Sequence, residues 1–216
     1  MKKIVSLLLP LSLLAGIGVL AWFKISYHHE LWDSFYFNFD IVIIGLYAIW
    51  IVYEVKVSSV DAGQDTVVRD FGTRELYGLS QALTVFSALW FEPVWTGPGP
   101  WHVIGLVIFI AGVCFRIWAI ETLGKYYSHS VRKIDGHRIV DSGPYGFLRH
   151  PAYTGMITAH VGIAVFYFNY VAAAVLVLLL VPSIVIRILV EEKTLMTVDG
   201  YIEFAKTRKR IIPCVW

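Results

Sequence analysis

The stretch that decides the fold is PAYTGMITAHVGIAVFYFNYVAAAVLVLLLVPSIVI, residues 151–186, which is 36 residues without one charged side chain. As a single α-helix it would extend about 54 Å at 1.5 Å per residue. A bilayer core is about 30 Å thick and takes roughly 20 helical residues. One crossing overshoots; two short crossings of about 18 residues each fit. Asn169-Tyr170, near the middle, is the expected turn.

Working outward, residues 4–23, 76–91 and 93–115 also lack charges, and 34–53 carries only Asp40. Six crossings follow, at about 4–23, 38–56, 76–95, 101–120, 152–168 and 171–190. Backbone N–H and C=O groups in hydrocarbon must pair within their own segment, so each crossing is expected to be a helix. The expected fold is an all-α, multi-pass transmembrane helical bundle of about six helices. Composition agrees: 57% of residues are hydrophobic and 16% charged, against about 25% charged in soluble domains. That excludes a disordered chain, a disulfide-rich secreted module and a nucleic-acid binder of the basic-patch type. The formal charge of +2 says nothing about partners by itself. Cys114 lies in an apolar run and Cys214 in the tail, so neither a disulfide framework nor a metal site is expected.

Charge distribution orients the bundle. With the N-terminus inside, the inner segments are 1–3, 57–75, 121–151 and 191–216. Of 18 Lys and Arg residues, only Lys24 falls in an outer loop, as the positive-inside rule requires. Trp22, Phe23, Trp90, Phe91, Trp95 and Trp101 mark the outer ends as an interfacial belt. Thr96-Gly97-Pro98-Gly99-Pro100 predicts a tight antiparallel hairpin of the third and fourth helices. The first run follows Lys2-Lys3 as a signal peptide would, but no small-x-small cleavage site follows it, so a retained helix is expected. Residues 57–75 read as a polar connector.

The chemistry gathers in ETLGKYYSHSVRKIDGHRIVDSGPYGFLRHP, residues 121–151. Rigid turns at Gly136, Gly143, Pro144 and Gly146 stand beside three His, three Arg and three Tyr. Pro151 can open the fifth helix, which places Arg149 and His150 at a helix N-terminus that favours an anion. Arg187 and Glu191, four apart, share one face of the sixth helix, with Glu192 next to them. Charges at membrane depth are costly and usually mark function or a partner. Arg116 is expected to snorkel, His102 to have no role, and His160 to satisfy a helix contact. Gly16-Ile17-Gly18 lies inside an apolar helix with no strand before it, so it is no dinucleotide loop. There is no Ser-His-Asp arrangement, HExxH or Walker loop.

Three blocks carry a resemblance: HRIVDSGPYGFLRHPAY (137–153), RILVEE (187–192) and DGYIEFAKTRKRIIP (199–213). In spacing and order they resemble the isoprenylcysteine carboxyl methyltransferase family over roughly residues 121–213. The resemblance implies an integral membrane methyltransferase using S-adenosylmethionine, bound between an inner loop and the last helices without a Rossmann-type domain. It implies N-terminal transmembrane helices over 1–120. Over 121–216 it implies a methyltransferase core of cofactor loop, helical hairpin and C-terminal helix. Carried over by position, His137, Arg138, Ile139, Val140, Tyr145, His150, Pro151, Ala152 and Tyr153 line the cofactor site, and Glu191 contacts the cofactor. Arg187 faces the acceptor; Arg187 and Glu191 are the implied catalytic pair. The family's polar contact upstream of the first histidine falls at shorter spacing here, nearest Arg132.

The implied acceptor is the carboxylate of a lipophilic or prenylated compound reached from membrane lipid, with no metal and no nucleic acid. The implied location is the bacterial inner membrane or endoplasmic reticulum, with the site on the cytoplasmic side. Aromatic faces suit a sulfonium. A carboxylate acceptor is already ionised at neutral pH and needs no base, whereas a lipid amine or small thiol would need Glu191 or a histidine to take its proton. Membrane sterol reductases, which bind a reduced nicotinamide, resemble the same region. A small transporter or scaffold is the non-enzyme alternative, disfavoured because the polar residues gather at one membrane face.

Overall fold

The computed structural model describes residues 15–24, 26, 35–61, 71–95, 99–128, 139–213 and 216. The helices are α1 (Ala15–Lys24), α2 (Phe35–Asp61), α3 (Thr73–Trp90), α4 (Pro100–Leu123), α5 (Pro151–Phe166), α6 (Tyr170–Leu195) and α7 (Tyr201–Thr207). α4 and α6 are long and apolar enough to cross a bilayer; α1 and α5 are shorter apolar helices. The expected turn lies where the charge-free run divides. α5 ends at Phe166, and Asn169 caps α6 by accepting from the Ala172 N–H at 2.8 Å. Asn169 also donates to the Ser87 carbonyl of α3 at 3.2 Å, which ties the turn to a neighbouring helix.

The bundle is apolar outside and buries a set of polar side chains within an otherwise apolar core. Val177, Leu178, Ile104, Val107 and Ile49 point outward, while Thr84, Arg116, His160 and Arg187 are buried. Lipid tails give helices no hydrophobic reason to associate, so close packing and interior polar contacts must hold them.

The tightest packing is between α4 and α5. Gly105 and Gly112 on α4 meet Gly162 and Gly155 on α5, each pair seven residues apart. A Cβ on Gly155 would lie 2.6 Å from the Arg116 backbone N, and one on Gly105 would lie 2.7 Å from that of Phe166. Added at Gly112 or Gly162, it would press on the backbones of Ala159 and Phe109. Only a hydrogen at these four positions lets the two backbones touch. The register places Gly155 opposite Arg116, so α4 runs about one turn past the start of α5. That overhang becomes a wall of the site.

Two expectations are corrected. Helices α3 and α4 do not form a tight hairpin. α3 packs on α5 and α6, and α4 packs on α5 and α2. The connector instead crosses the α5–α6 turn, with the Val94 N–H donating to the Phe168 carbonyl (2.7 Å) and Trp95 Nε1 to that of Val165 (2.9 Å). Trp95 stacks on Trp101 there, 4.8 Å between ring centres. Second, α3 stops at Trp90 rather than 95, just ahead of Pro93. In α6, Pro182 lacks the N–H that a regular helix needs. A wide turn over Leu176–Leu180 precedes it, and the Ser183 hydroxyl donates to the Leu180 carbonyl at 2.8 Å.

Gly112→Val should lower the melting temperature in detergent by an amount matching roughly 1–3 kcal/mol or more of overpacking. Gly45→Val, at a helix position with open space around it, should change it little. Circular dichroism melts of the two variants check this.

Candidate active site

The ends of α2, α3, α4, α5 and α6 that carry Glu54, Thr73, Leu123, Pro151 and Glu191 lie on one side of the bundle. There the ends of α3, α4, α5 and α6 border a cavity with about 970 Å³ of space outside protein atoms, part of it open to solvent. Its wall includes Ile139, Val140, Tyr145, His150, Ala152 and Tyr153 from the loop and the start of α5. Arg187 and Glu191 of α6 line it too. Thus eight of the residues singled out from sequence meet at one cavity. Pro151 does not line it; the residue is buried and opens α5 at its first turn. His137, Arg138 and Arg132 lie outside the described residues.

Local structure explains the placement. Gly143 takes φ 54°, a left-handed conformation that glycine adopts without the Cβ penalty. It begins a 3₁₀ turn, Gly143–Gly146, that turns Tyr145 inward. α7 docks over the opening through Tyr201, Phe204 and Ala205, packed with Tyr145, Ala152 and Val198. Burial holds the Tyr145 and Tyr201 phenols above their ordinary pKa, so both stay neutral donors at physiological pH.

Three polar constellations surround the cavity. In the first, Arg116 is 1% exposed and does not snorkel. It makes a bidentate pair with Glu54 of α2, Nε to Oε1 at 2.6 Å and Nη2 to Oε2 at 2.7 Å. It also donates to the Ala152 carbonyl (3.0 Å) and to the Tyr127 hydroxyl (3.2 Å). The sequence expectation failed because the partner sits 62 residues away, on a helix whose end is not marked by any motif. An acidic residue inside a crossing was the available signal.

The second centres on α6. Glu191 accepts from the Tyr153 hydroxyl at 2.9 Å. Arg187 donates from Nη1 to the Thr73 hydroxyl of α3 at 3.1 Å, and its guanidinium carbon lies 5.8 Å from the Tyr77 ring centre. Sequence reasoning did not single out Thr73 or Tyr77, since α3 carries no motif.

The third is a strap. The Arg149 and His150 N–H groups donate to the Lys209 and Arg210 carbonyls at 2.8 and 2.9 Å. Thr154 Oγ1 donates to the Ile211 carbonyl at 2.8 Å. Glu192 joins both sides, accepting from Arg149 Nη1 (2.8 Å) and from Arg210 Nε (2.9 Å), with His150 Nε2 at 3.4 Å. So Arg149 is turned into this strap, and its partner Glu192 is buried rather than solvated.

The cavity offers a carboxylate, aromatic faces, basic side chains and backbone of the 139–140 stretch. Among the described residues, the Tyr77 and Tyr201 hydroxyls on its wall are buried without a hydrogen-bond partner. Unpartnered buried donors are costly, and a polar ligand would satisfy them. The donor set therefore fits a cofactor that carries both a cationic centre and a carboxylate.

Residues 103–197 match the profile of the isoprenylcysteine carboxyl methyltransferase family. The chain is 31% identical over 115 residues to protein-S-isoprenylcysteine O-methyltransferase B of Arabidopsis thaliana, covering 51% of this chain and 58% of that protein. It is 38% identical over 69 residues to the human protein-S-isoprenylcysteine O-methyltransferase, 31% of this chain and 24% of that one. It thus spans only part of the curated relatives it matches. A solved structure of a eukaryotic intramembrane Ras methyltransferase shares the fold. That match has TM-score 0.63 at 21% identity and covers 92% of this chain and 74% of that one.

Glu54→Leu leaves the Arg116 charge buried and unpaired, which should cost about 3–5 kcal/mol. The double replacement Glu54→Leu/Arg116→Leu should recover much of that loss. Thermal unfolding of the single and double variants tests the coupling; equal losses in both would refute it.

Proposed function

We propose, from the match of residues 103–197 to the profile of the isoprenylcysteine carboxyl methyltransferase family, that this chain is an integral membrane methyltransferase. It moves a methyl group from S-adenosylmethionine to the carboxylate of a lipophilic, S-prenylated cysteine acceptor. The observation that carries the reading is the single cavity on which Tyr145, His150, Tyr153, Arg187 and Glu191 converge at one end of the bundle.

In this reading residues 121–216 form the core and the helices of 1–120 frame it. His137 and Arg138, the backbone of Ile139 and Val140, Tyr145, and the run His150, Pro151, Ala152 and Tyr153 hold the cofactor. When bound, S-adenosylmethionine supplies an electrophilic methyl group on a sulfonium. The Tyr145 and Tyr153 faces attract that cationic centre. Glu191, aimed by the Tyr153 hydroxyl, pairs with a cationic group of the same ligand. His150, held by the Glu192 strap, stands at the α5 N-terminus, where a carboxylate is favoured.

Arg187 orients the acceptor carboxylate, itself braced by Thr73. The acceptor oxygen is already ionised near neutral pH, so no side chain has to remove a proton. Displacement then needs alignment and close approach of the reacting atoms, and positioning supplies most of the rate. The lipophilic tail of the acceptor stays in the bilayer that surrounds the helices. Arg149, Lys193, Lys206, Arg208, Lys209 and Arg210 all stand at the end of the bundle with the cavity. This supports a site on the cytoplasmic side of the bacterial inner membrane or the endoplasmic reticulum.

Titration of the detergent-purified protein with S-adenosylhomocysteine, and methyl transfer from radiolabelled cofactor to an S-farnesylated cysteine, test the proposal. Arg187→Ala should reduce turnover about 100-fold or more while cofactor affinity changes little. Glu191→Ala should weaken cofactor affinity itself about tenfold or more. Small, equal effects from both variants, or binding of a reduced nicotinamide in preference, would overturn the assignment.

A further inference from the structure

Tyr77 is a cavity residue to which the mechanism above gives no task. It stands on α3, before the stretch that matches the family. The residue is 7% exposed, and its hydroxyl is buried with no hydrogen-bond partner among the described residues. It lines the same cavity as Arg187 and Glu191. Thr73, four residues earlier on the same helical face, receives the hydrogen bond from Arg187, and the Arg187 guanidinium lies against the Tyr77 ring. The first turns of α3 therefore contact Arg187 twice and present one unused donor beside it.

Its neighbour sharpens the contrast. Tyr77 and Tyr153 meet edge to face, 6.0 Å between centres at 90°. The Tyr153 hydroxyl is engaged with Glu191; the Tyr77 hydroxyl is engaged with nothing described. A buried donor without a partner is destabilising unless a ligand receives it. A phenol beside a guanidinium matches an anionic oxygen: the cation neutralises the charge, and the hydroxyl adds a directional, charge-assisted hydrogen bond.

We propose, resting on the methyltransferase reading, that Tyr77 is an acceptor-binding residue whose hydroxyl donates to the carboxylate that Arg187 orients. The acceptor subsite then lies between α3 and α6, beside the Tyr153 ring. Tyr77 selects a carboxylate over its neutral ester, and so also favours release of the methylated product.

The test uses the full chain in detergent, saturated with S-adenosylhomocysteine. Binding of N-acetyl-S-farnesylcysteine and of its methyl ester is measured for wild type and for Tyr77→Phe. The variant keeps the ring and its packing, so its melting temperature should equal or exceed that of wild type. Its affinity for the acid should fall about tenfold or more, with ester and S-adenosylhomocysteine affinities within about twofold of wild type. If wild type binds the acid and the variant binds it equally well, the Tyr77 assignment falls alone. A variant that loses S-adenosylhomocysteine affinity also overturns it, by moving Tyr77 to the cofactor side. Wild type that binds neither acid nor ester removes the acceptor reading beneath the proposal.

Discussion

The structure depends on backbone contact between α4 and α5. Four glycines allow it, and the register they set decides what stands opposite what. Gly155 lies against the Arg116 backbone, so the Arg116 side chain reaches the Ala152 carbonyl at the start of α5. The same register leaves α4 extending past α5, and the step between them holds Leu123, Tyr127 and Ala152 around the cavity. Any side chain in the seam would separate the helices and displace these groups together. In a membrane, where apolar surface alone does not drive helices together, such contact is the main packing resource.

Charge does the rest. Two carboxylates organise the arginines near the site, and they do different work. Glu54 neutralises Arg116 across α2 and α4 with bidentate geometry. Glu192 gathers Arg149, His150 and Arg210, joining the start of α5 to the C-terminal segment. Each is buried or nearly so, so losing one partner would leave a charge with poor solvation. Glu191 and Arg187 sit one helical turn apart on the cavity wall; Glu191 accepts from the Tyr153 hydroxyl, and Arg187 donates to that of Thr73.

Much of this was legible in the chain. The charge-free run of 151–186 gave two helices and the turn at Asn169, because hydrophobic length against bilayer thickness leaves few solutions. The block at 137–153 and the pair at 187 and 191 pointed to one end of the bundle, where Tyr145, His150, Ala152, Tyr153, Arg187 and Glu191 line one cavity and Pro151 does not. Arg116 was misjudged, because snorkelling is the default for an arginine near a helix end and its partner is remote. The hairpin of α3 and α4 was misjudged because Gly97-Pro98-Gly99-Pro100 guarantees a break and says nothing about which helices then pack. The seven-residue spacing of Gly105 with Gly112, and of Gly155 with Gly162, was a visible signal that went unread.

By itself, then, the order of residues determined that the chain forms helices long and apolar enough to cross a membrane, roughly where the described ones begin, and which polar side chains gather at one end of the bundle. These follow from local quantities: run length, charge placement and short motifs. Only the tertiary structure decided that Glu54 answers Arg116, that Glu192 rather than solvent receives Arg149 and Arg210, and that α3 supplies Thr73 to Arg187 and Tyr77 to the cavity. Those pairings join residues between 18 and 114 positions apart, so they depend on helix register and packing, which no local pattern encodes.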